Sequence, residues 1–392
     1  GAYVGGMAGY IAGTGTEIKG CWNSGTVKGT AGNYIGGMVG AIAADTVIDG
    51  CYNVAGSAVT GTLGASTGGI LGGAVTGTLA LRNCYNQGAV SGGAAVGGIA
   101  GTLSLPAQNV AGCYNAGAVT GTLSVGAVVG TGGSSDSVTY CFYDKNKSLP
   151  AVDAYAKGVE TAAFASWGAA FGLNGERLAQ ESSSYVSWTY VAGSGAAYPE
   201  YGTLPDADSW ETVGRGLADG FIAMQTPSGS PLELGTAEQL AWFAEQINDG
   251  KMTADTSAVL TADLDLSGGR YVSSGKLPWM PIGKDSAHSY RGTFSGSGSR
   301  VVEVGGLYIS AADTAGLFGN VGAGGKVTGI GVTTISITGD KAGGIAGAVS
   351  GGAEISRCFN RGGVVSGASY AGGIAGQLAG NAVVKNCYAL EA

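Results

Sequence analysis

Seven cysteines, one histidine and a few acidic pairs are the side chains of this 392-residue sequence best suited to chemistry. Cys21, Cys51, Cys84, Cys113, Cys141, Cys358 and Cys387 could ligate zinc or pair as disulfides. No Cys-x-x-Cys occurs, however, and the two nearest cysteines are 28 residues apart, so the ligand spacing of a zinc site is missing. A column of buried free thiols is the simpler reading. His288, beside Asp285 and Ser289, could be drawn as a general base, but the chain has no nucleophile-elbow phrase and no second histidine, which favours a solvated loop residue. Asp263 and Asp265 are two apart and would face one side of a strand, making them the one Ca²⁺ candidate; such pairs more often cap turns. Gly275-Lys276 is followed by Leu277, where a phosphate-binding loop needs Ser or Thr. We therefore expect no catalytic residue, no resident metal and no cofactor.

The aromatic residues are better candidates. One follows each cysteine: Trp22, Tyr52, Tyr85, Tyr114, Phe142, Phe359 and Tyr388. Evenly spaced rings on one face could stack against sugars or anchor a protein partner, and they could equally stabilise the fold by touching one another. These seven are the candidate binding residues.

What must position them is a repeat. The cysteines are separated by 30, 33, 29 and 28 residues in the first half and by 29 in the second. An aliphatic residue lies three positions before each (Ile18, Ile48, Leu81, Val110, Val138, Ile355, Val384), and Asn23, Asn53, Asn86, Asn115 and Asn360 follow the aromatics. Valine comes six after the cysteine at Val27, Val90, Val119 and Val364, with Val59 displaced by a two-residue insertion. Glycine-rich phrases recur, as at Gly36-Gly37-Met38-Val39-Gly40 and Gly97-Gly98-Ile99-Ala100-Gly101. Short runs of Val, Ile and Thr broken by Gly or Asn read as strands, three per repeat. A unit of about 29 residues cannot bury its own apolar face, but copies stacked at about 4.8 Å can pair in parallel and share one core. The fold class is all-β, a parallel β-helix or β-solenoid.

Strict alternation would put the aliphatic residue and the aromatic on one face and the cysteine on the other. The residue before the cysteine is Gly20, Gly50, Asn83, Gly112 or Asn386 in five of seven copies, types that tolerate a left-handed backbone. A bend there resets the alternation, with cysteine inward and aromatic outward.

Residues 1–145 form a first solenoid of five repeats, 146–210 a closing segment, 211–250 a linker with a capping helix at about 236–249, and 251–392 a second solenoid. The helix rests on the capping box Thr236-Ala237-Glu238-Gln239 and the stripe Leu240, Phe243, Ala244, Ile247. The repeat starts and stops mid-phrase at the two ends, which suggests a piece of a longer array and head-to-tail self-association through uncapped coils. Nineteen basic against 27 acidic residues, a net charge of -8, argue against nucleic acid as a partner. No apolar run is long enough to suggest membrane insertion.

The Gly-Gly-Ile-Ala-Gly phrases, followed by Asn/Gly-Cys-Tyr-Asn and Gly-x-Val, resemble GLUG-motif repeats. The stretch from Leu234 to Gly319, with Trp279-Met280-Pro281-Ile282-Gly283 and Gly292-Thr293-Phe294, is similar to the lead-in of such modules, and 157–201, ending Ala197-Tyr198-Pro199-Glu200, resembles their closing piece. Gly296-Ser297-Gly298 departs from the Gly-Asn-Gly-His usual there. GLUG repeats occur in large secreted or wall-attached bacterial proteins, including adhesin-like proteins and immunoglobulin A peptidases. The resemblance implies an extracellular or cell-wall location and a non-enzymatic structural or adhesive segment, presenting a rigid face to a host or neighbouring-cell glycan or protein. The alternatives are a polysaccharide-active β-helix enzyme, or an accessory region of a larger secreted protease.

Overall fold

The computed structural model describes residues 3–31, 33–63, 65–148, 151–175 and 187–390, with Ala311 and Ala312 described by backbone alone. The chain divides into two compact units, Gly1–Pro205 with Asp219–Phe221, and Asp206–Ala218 with Ile222–Ala392. Both are parallel β-solenoids, and the repeat found in the sequence is the coil. No helix among the described residues is long and apolar enough to cross a membrane.

In the first unit one coil runs through Ser66–Gly68, Leu71–Ala74, Leu79–Arg82, Tyr85–Asn86 and Ala89–Ser91. Each strand pairs in parallel with its equivalents one coil away. Thr67 faces Ile35 and Val96, Leu81 faces Ile48 and Val110, Tyr85 faces Tyr52 and Tyr114, and Val90 faces Val59 and Val119. The expected three strands per repeat are thus five here, and two backbone devices mark breaks between them.

The first device is the glycine phrase. A Cβ on Gly69 would stand 2.0 Å from the carbonyl oxygen of Gly98 and 2.7 Å from the Asn86 amide carbon, so only glycine lets the chain pass this close to its neighbour. The second is the bend before each cysteine. All seven residues there, Gly20, Gly50, Asn83, Gly112, Tyr140, Arg357 and Asn386, have φ between 51° and 65°. The left-handed residue rotates the chain by one side-chain position, and Ile48 and Cys51, or Leu81 and Cys84, both point into the core. Two copies accept this conformation without Gly or Asn, a measure of how strongly the stack dictates it.

The first solenoid does not stop at residue 145. Lys157–Val159 adds a sixth rung in parallel to Phe142–Asp144, and Val152 bridges Gly126. Two short helices, Thr161–Phe164 and Trp167–Leu173, then lead the chain back along the outside of the coils.

The second unit starts earlier than residue 251. Leu232–Leu234 is its first rung, paired in parallel with Ala258–Leu260, and the Ala237–Asn248 helix is inserted between the two. Thr236 Oγ1 accepts from the Gln239 amide at 3.2 Å to start that helix. Phe243 on its buried stripe meets the core rings Tyr290 and Phe294. A second helix, Trp210–Ala218, lies in what the sequence suggested was linker; Gly214 lets it approach the backbone of Ala241. The later coils have three strands, as in Lys326–Thr328, Ile330–Gly343 and Ala346–Val349, with the middle one 14 residues long. Val364 does not share the buried position of its equivalents Val27, Val59, Val90 and Val119. Gly362 and Gly363 both have positive φ and shift the alternation by one, so Val365 pairs with Ile337 while Val364 points to solvent.

Candidate functional site: the aromatic column and its cover

Three ladders run up the first unit beside one another. Innermost is sulfur. The Cys51 amide donates to Cys84 Sγ and the Cys84 amide to Cys113 Sγ, both at 3.3 Å, and each thiol turns to a carbonyl two residues back. All seven cysteines are free thiols. Burial pushes the Cys113 thiol well above its ordinary range, with Cys141 and Cys84 adding to the shift, so it stays protonated and inert.

Two residues on stands amide. Asn23 Nδ2 donates to Asn53 Oδ1 at 3.2 Å, Asn53 to Asn86 at 3.1 Å, Asn86 to Asn115 at 2.8 Å, and Asn115 to Ser148 Oγ at 2.9 Å. Each of Asn86 and Asn115 also closes a turn onto the glycine two residues ahead. Asn23, Asn86 and Asn115 thus each serve their own coil and the next, the satisfied kind of buried polar network.

Between them the aromatic side chains point outward and stack. Ring centroids are 6.4 Å apart for Trp22 and Tyr52, 4.6 Å for Tyr52 and Tyr85, and 5.0 Å for Tyr85 and Tyr114. In the second unit Phe359 and Tyr388 repeat the contact at 5.2 Å. Such pairs each contribute about 0.5–1.5 kcal/mol beyond area burial.

The column in the first unit is largely covered. Trp188 and Tyr201 tilt against Tyr85 at 6.0 and 5.8 Å, and Tyr198 stacks on Tyr114 at 5.6 Å. Trp188 Nε1 donates to the Gly112 carbonyl at 2.9 Å and the Tyr201 hydroxyl to the Asn83 carbonyl at 2.8 Å. Both acceptors belong to left-handed bend residues. Tyr198 donates to Asp144, a buried carboxylate that also accepts from Thr161 and two backbone amides. Tyr114 is left 1% exposed, and Phe142 is buried with it against Phe221. Burial holds the Tyr114 phenol well above its ordinary range.

The seven candidate rings therefore differ in what they offer. Trp22 and Tyr388, 52% and 50% exposed, present ring surface; Tyr52 and Tyr85 are half-buried; Tyr114, Phe142 and Phe359 are internal packing. The covering residues Trp188, Tyr198 and Tyr201 were not singled out from the sequence. The signals there are the shift toward Trp, Tyr and Pro after residue 146 and the module-closing phrase that contains Tyr198.

The other candidates are dispersed. His288 Nδ1 lies 2.8 Å from Asp285 Oδ1, but the Ser289 hydroxyl donates to the Ser286 carbonyl at 2.9 Å, so no triad assembles. Against the opposing pull of burial, the His288 ring and amide and the Ala287 amide hold Asp285 below its ordinary range. Asp263 accepts from the Glu303 amide at 2.8 Å and Arg300 at 3.0 Å, and these two donors lower its pKa. Asp265 accepts from the amide and hydroxyl of Ser267 at 2.9 and 3.0 Å. Both carboxylates hold turns and strands together, and among the described residues no group of three His, Cys, Asp or Glu is placed to hold a metal ion. Comparison of the chain with protein-family models, with curated proteins and with solved structures gave no match.

Proposed function

We propose that this chain is a non-enzymatic structural and adhesive segment of a bacterial surface protein, holding a stiff solenoid face toward a glycan or protein. The observation that carries the reading is the coupling of thiol, amide and ring ladders through the same coils of the first unit. Side chains that could have converged on a reaction centre are instead used to lock each coil to the next. A surface so held loses little entropy on binding, which suits presentation better than turnover. The GLUG-like phrases add the surface-protein context.

The test is a screen of the full chain against glycan arrays and extracellular-matrix proteins, run beside polysaccharide-hydrolysis and lyase assays. Saturable binding of unaltered ligand is the expected result. Cleavage of a polysaccharide would favour the β-helix enzyme instead, and absence of any ligand would leave only a spacer.

A further inference from the structure

Because Tyr85 stacks face to face between Tyr52 and Tyr114, its ring faces are occupied, and what it leaves for a ligand is its hydroxyl edge. Along that edge lies a cleft of about 420 Å³, within the range of small-ligand sites. One side is the column itself, with Tyr85 and Gln87; the other is the strap through Ala197, Tyr198 and Glu200; Lys147 stands at the margin.

The polar groups in the cleft divide into used and unused. The Tyr114 hydroxyl is engaged, accepting from Gln87 Nε2 at 3.2 Å and facing the Pro199 carbonyl at 3.4 Å. Among the described residues, the Tyr85 hydroxyl, the Glu200 carboxylate and the Gln87 side-chain carbonyl have no hydrogen-bond partner. The Lys147 ammonium sits over the Tyr198 ring, 4.8 Å from its centroid, with its three N–H donors uncommitted to any oxygen. Glu200 is close enough that its charge, after burial and the Tyr52 ring, helps to hold the Tyr85 phenol protonated. One carboxylate and one ammonium face the same space, so the cleft has no net charge to favour a charged ligand. The remaining lining is small and apolar, Ala55, Ala116 and Ala196. A ligand that suits this set carries several hydroxyl groups, each able to donate and accept, on a compact skeleton with C–H faces.

We infer that this cleft is a binding subsite for a neutral saccharide, with Glu200 and the Gln87 carbonyl accepting from sugar hydroxyls, and Tyr85 and Lys147 donating to them. The inference rests on the binding role proposed above, and it relocates the contact from ring faces to the hydroxyl edge and the strap.

The test uses the full chain on an array of neutral and charged glycans, followed by calorimetry on the best neutral ligand. Tyr85→Phe keeps the ring in its stack and deletes only the hydroxyl; Glu200→Gln keeps shape and removes the charge at an exposed site. We expect each to weaken binding about tenfold, the effect of one lost hydrogen bond to a polar or charged group, with an unchanged thermal transition. Neutral-saccharide binding that survives both substitutions would overturn the subsite while leaving an adhesive role intact. A chain that binds only charged glycans or proteins would also overturn it, and one that binds nothing removes both readings.

Discussion

The same phrase, Cys-aromatic-Asn, sits in both units and does different work in each. In the first unit Asn86 lies between Asn53 and Asn115 and bonds to both. In the second, Asn360 lies in register between Val332 and Ala389, and neither its nitrogen nor its oxygen has a partner although the side chain is fully buried. The rings differ likewise: Tyr85 and Tyr114 are roofed by Trp188, Tyr198 and Tyr201, while Tyr388 is half exposed. A solenoid residue is therefore defined less by its own coil than by the residues in register above and below. A ladder of like amides satisfies itself; a single amide in a column of apolar neighbours is a defect.

The largest test of this contrast is in the rings. Tyr114→Ala should destabilise the first unit by about 3–5 kcal/mol, the usual range for emptying a large buried aromatic site. Tyr388→Ala removes one stacked pair at a half-exposed site and should cost about 0.5–1.5 kcal/mol. Region-resolved hydrogen exchange separates the two effects, and equal losses would erase the distinction between covered and open columns.

The amides come next and predict opposite signs. Asn86→Ala takes one hydrogen bond each from the buried Asn53 and Asn115 side chains and both side-chain bonds from the Gly88 turn, and should cost about 1–3 kcal/mol. Asn360→Val removes an unsatisfied amide in favour of a residue matching Val332 and should be neutral or raise stability by about 1 kcal/mol. Denaturant unfolding of the two variants checks the sign. A destabilised Asn360→Val protein would mean that this side chain has a partner after all.

Alkaline titration asks what the two units share. Burial raises the phenols of Tyr114 and Tyr201 in the first unit and of Tyr271 and Tyr290 in the second. A folded pKa above the unfolded one gives stability that is whole below the unfolded value, about pH 10, and is lost as pH climbs past it. Each phenol steepens that loss by at most about 1.4 kcal/mol per pH unit. Ultraviolet absorbance of phenolate should therefore appear for these four only together with unfolding, in both units.

The smallest effect isolates the bend. A Cβ on Gly20 would meet nothing within 4 Å, so Gly20→Ala carries only the cost of a left-handed alanine, about 1–2 kcal/mol. Gly20→Asn should be milder, since Asn83 and Asn386 already occupy the same position. Thermal melts of the pair check the order, and no difference between them would mean that the left-handed bend is not what selects glycine.

Much of this was legible in the sequence because a solenoid writes its contacts as periods. Cysteine inward, aromatic outward and a bend before each cysteine follow from spacing and from the Gly/Asn preference at one position. The strand count was less legible. The run 330–343 continues where the equivalent 85–97 breaks at residues 87–88 and 92–94, a difference that the repeat phrase does not mark. The cover of the ring column left no periodic mark, since Trp188 and Tyr201 reach bend carbonyls 76 and 118 residues away in sequence. The single shifted valine, Val364, has its cause in the left-handed backbone at Gly362-Gly363, which looks in sequence like any other glycine turn.

The central claim is that equivalent residues of successive coils lie directly upon one another. Through-space NMR contacts in a sample labelled at Ile, Leu and Val methyl groups test it at a residue with two defined partners, since Leu81 pairs with Ile48 on one side and Val110 on the other. We predict strong cross-peaks from the Leu81 methyls to both. Contacts to neither, or to residues out of register with them, would contradict the stack and everything built on it.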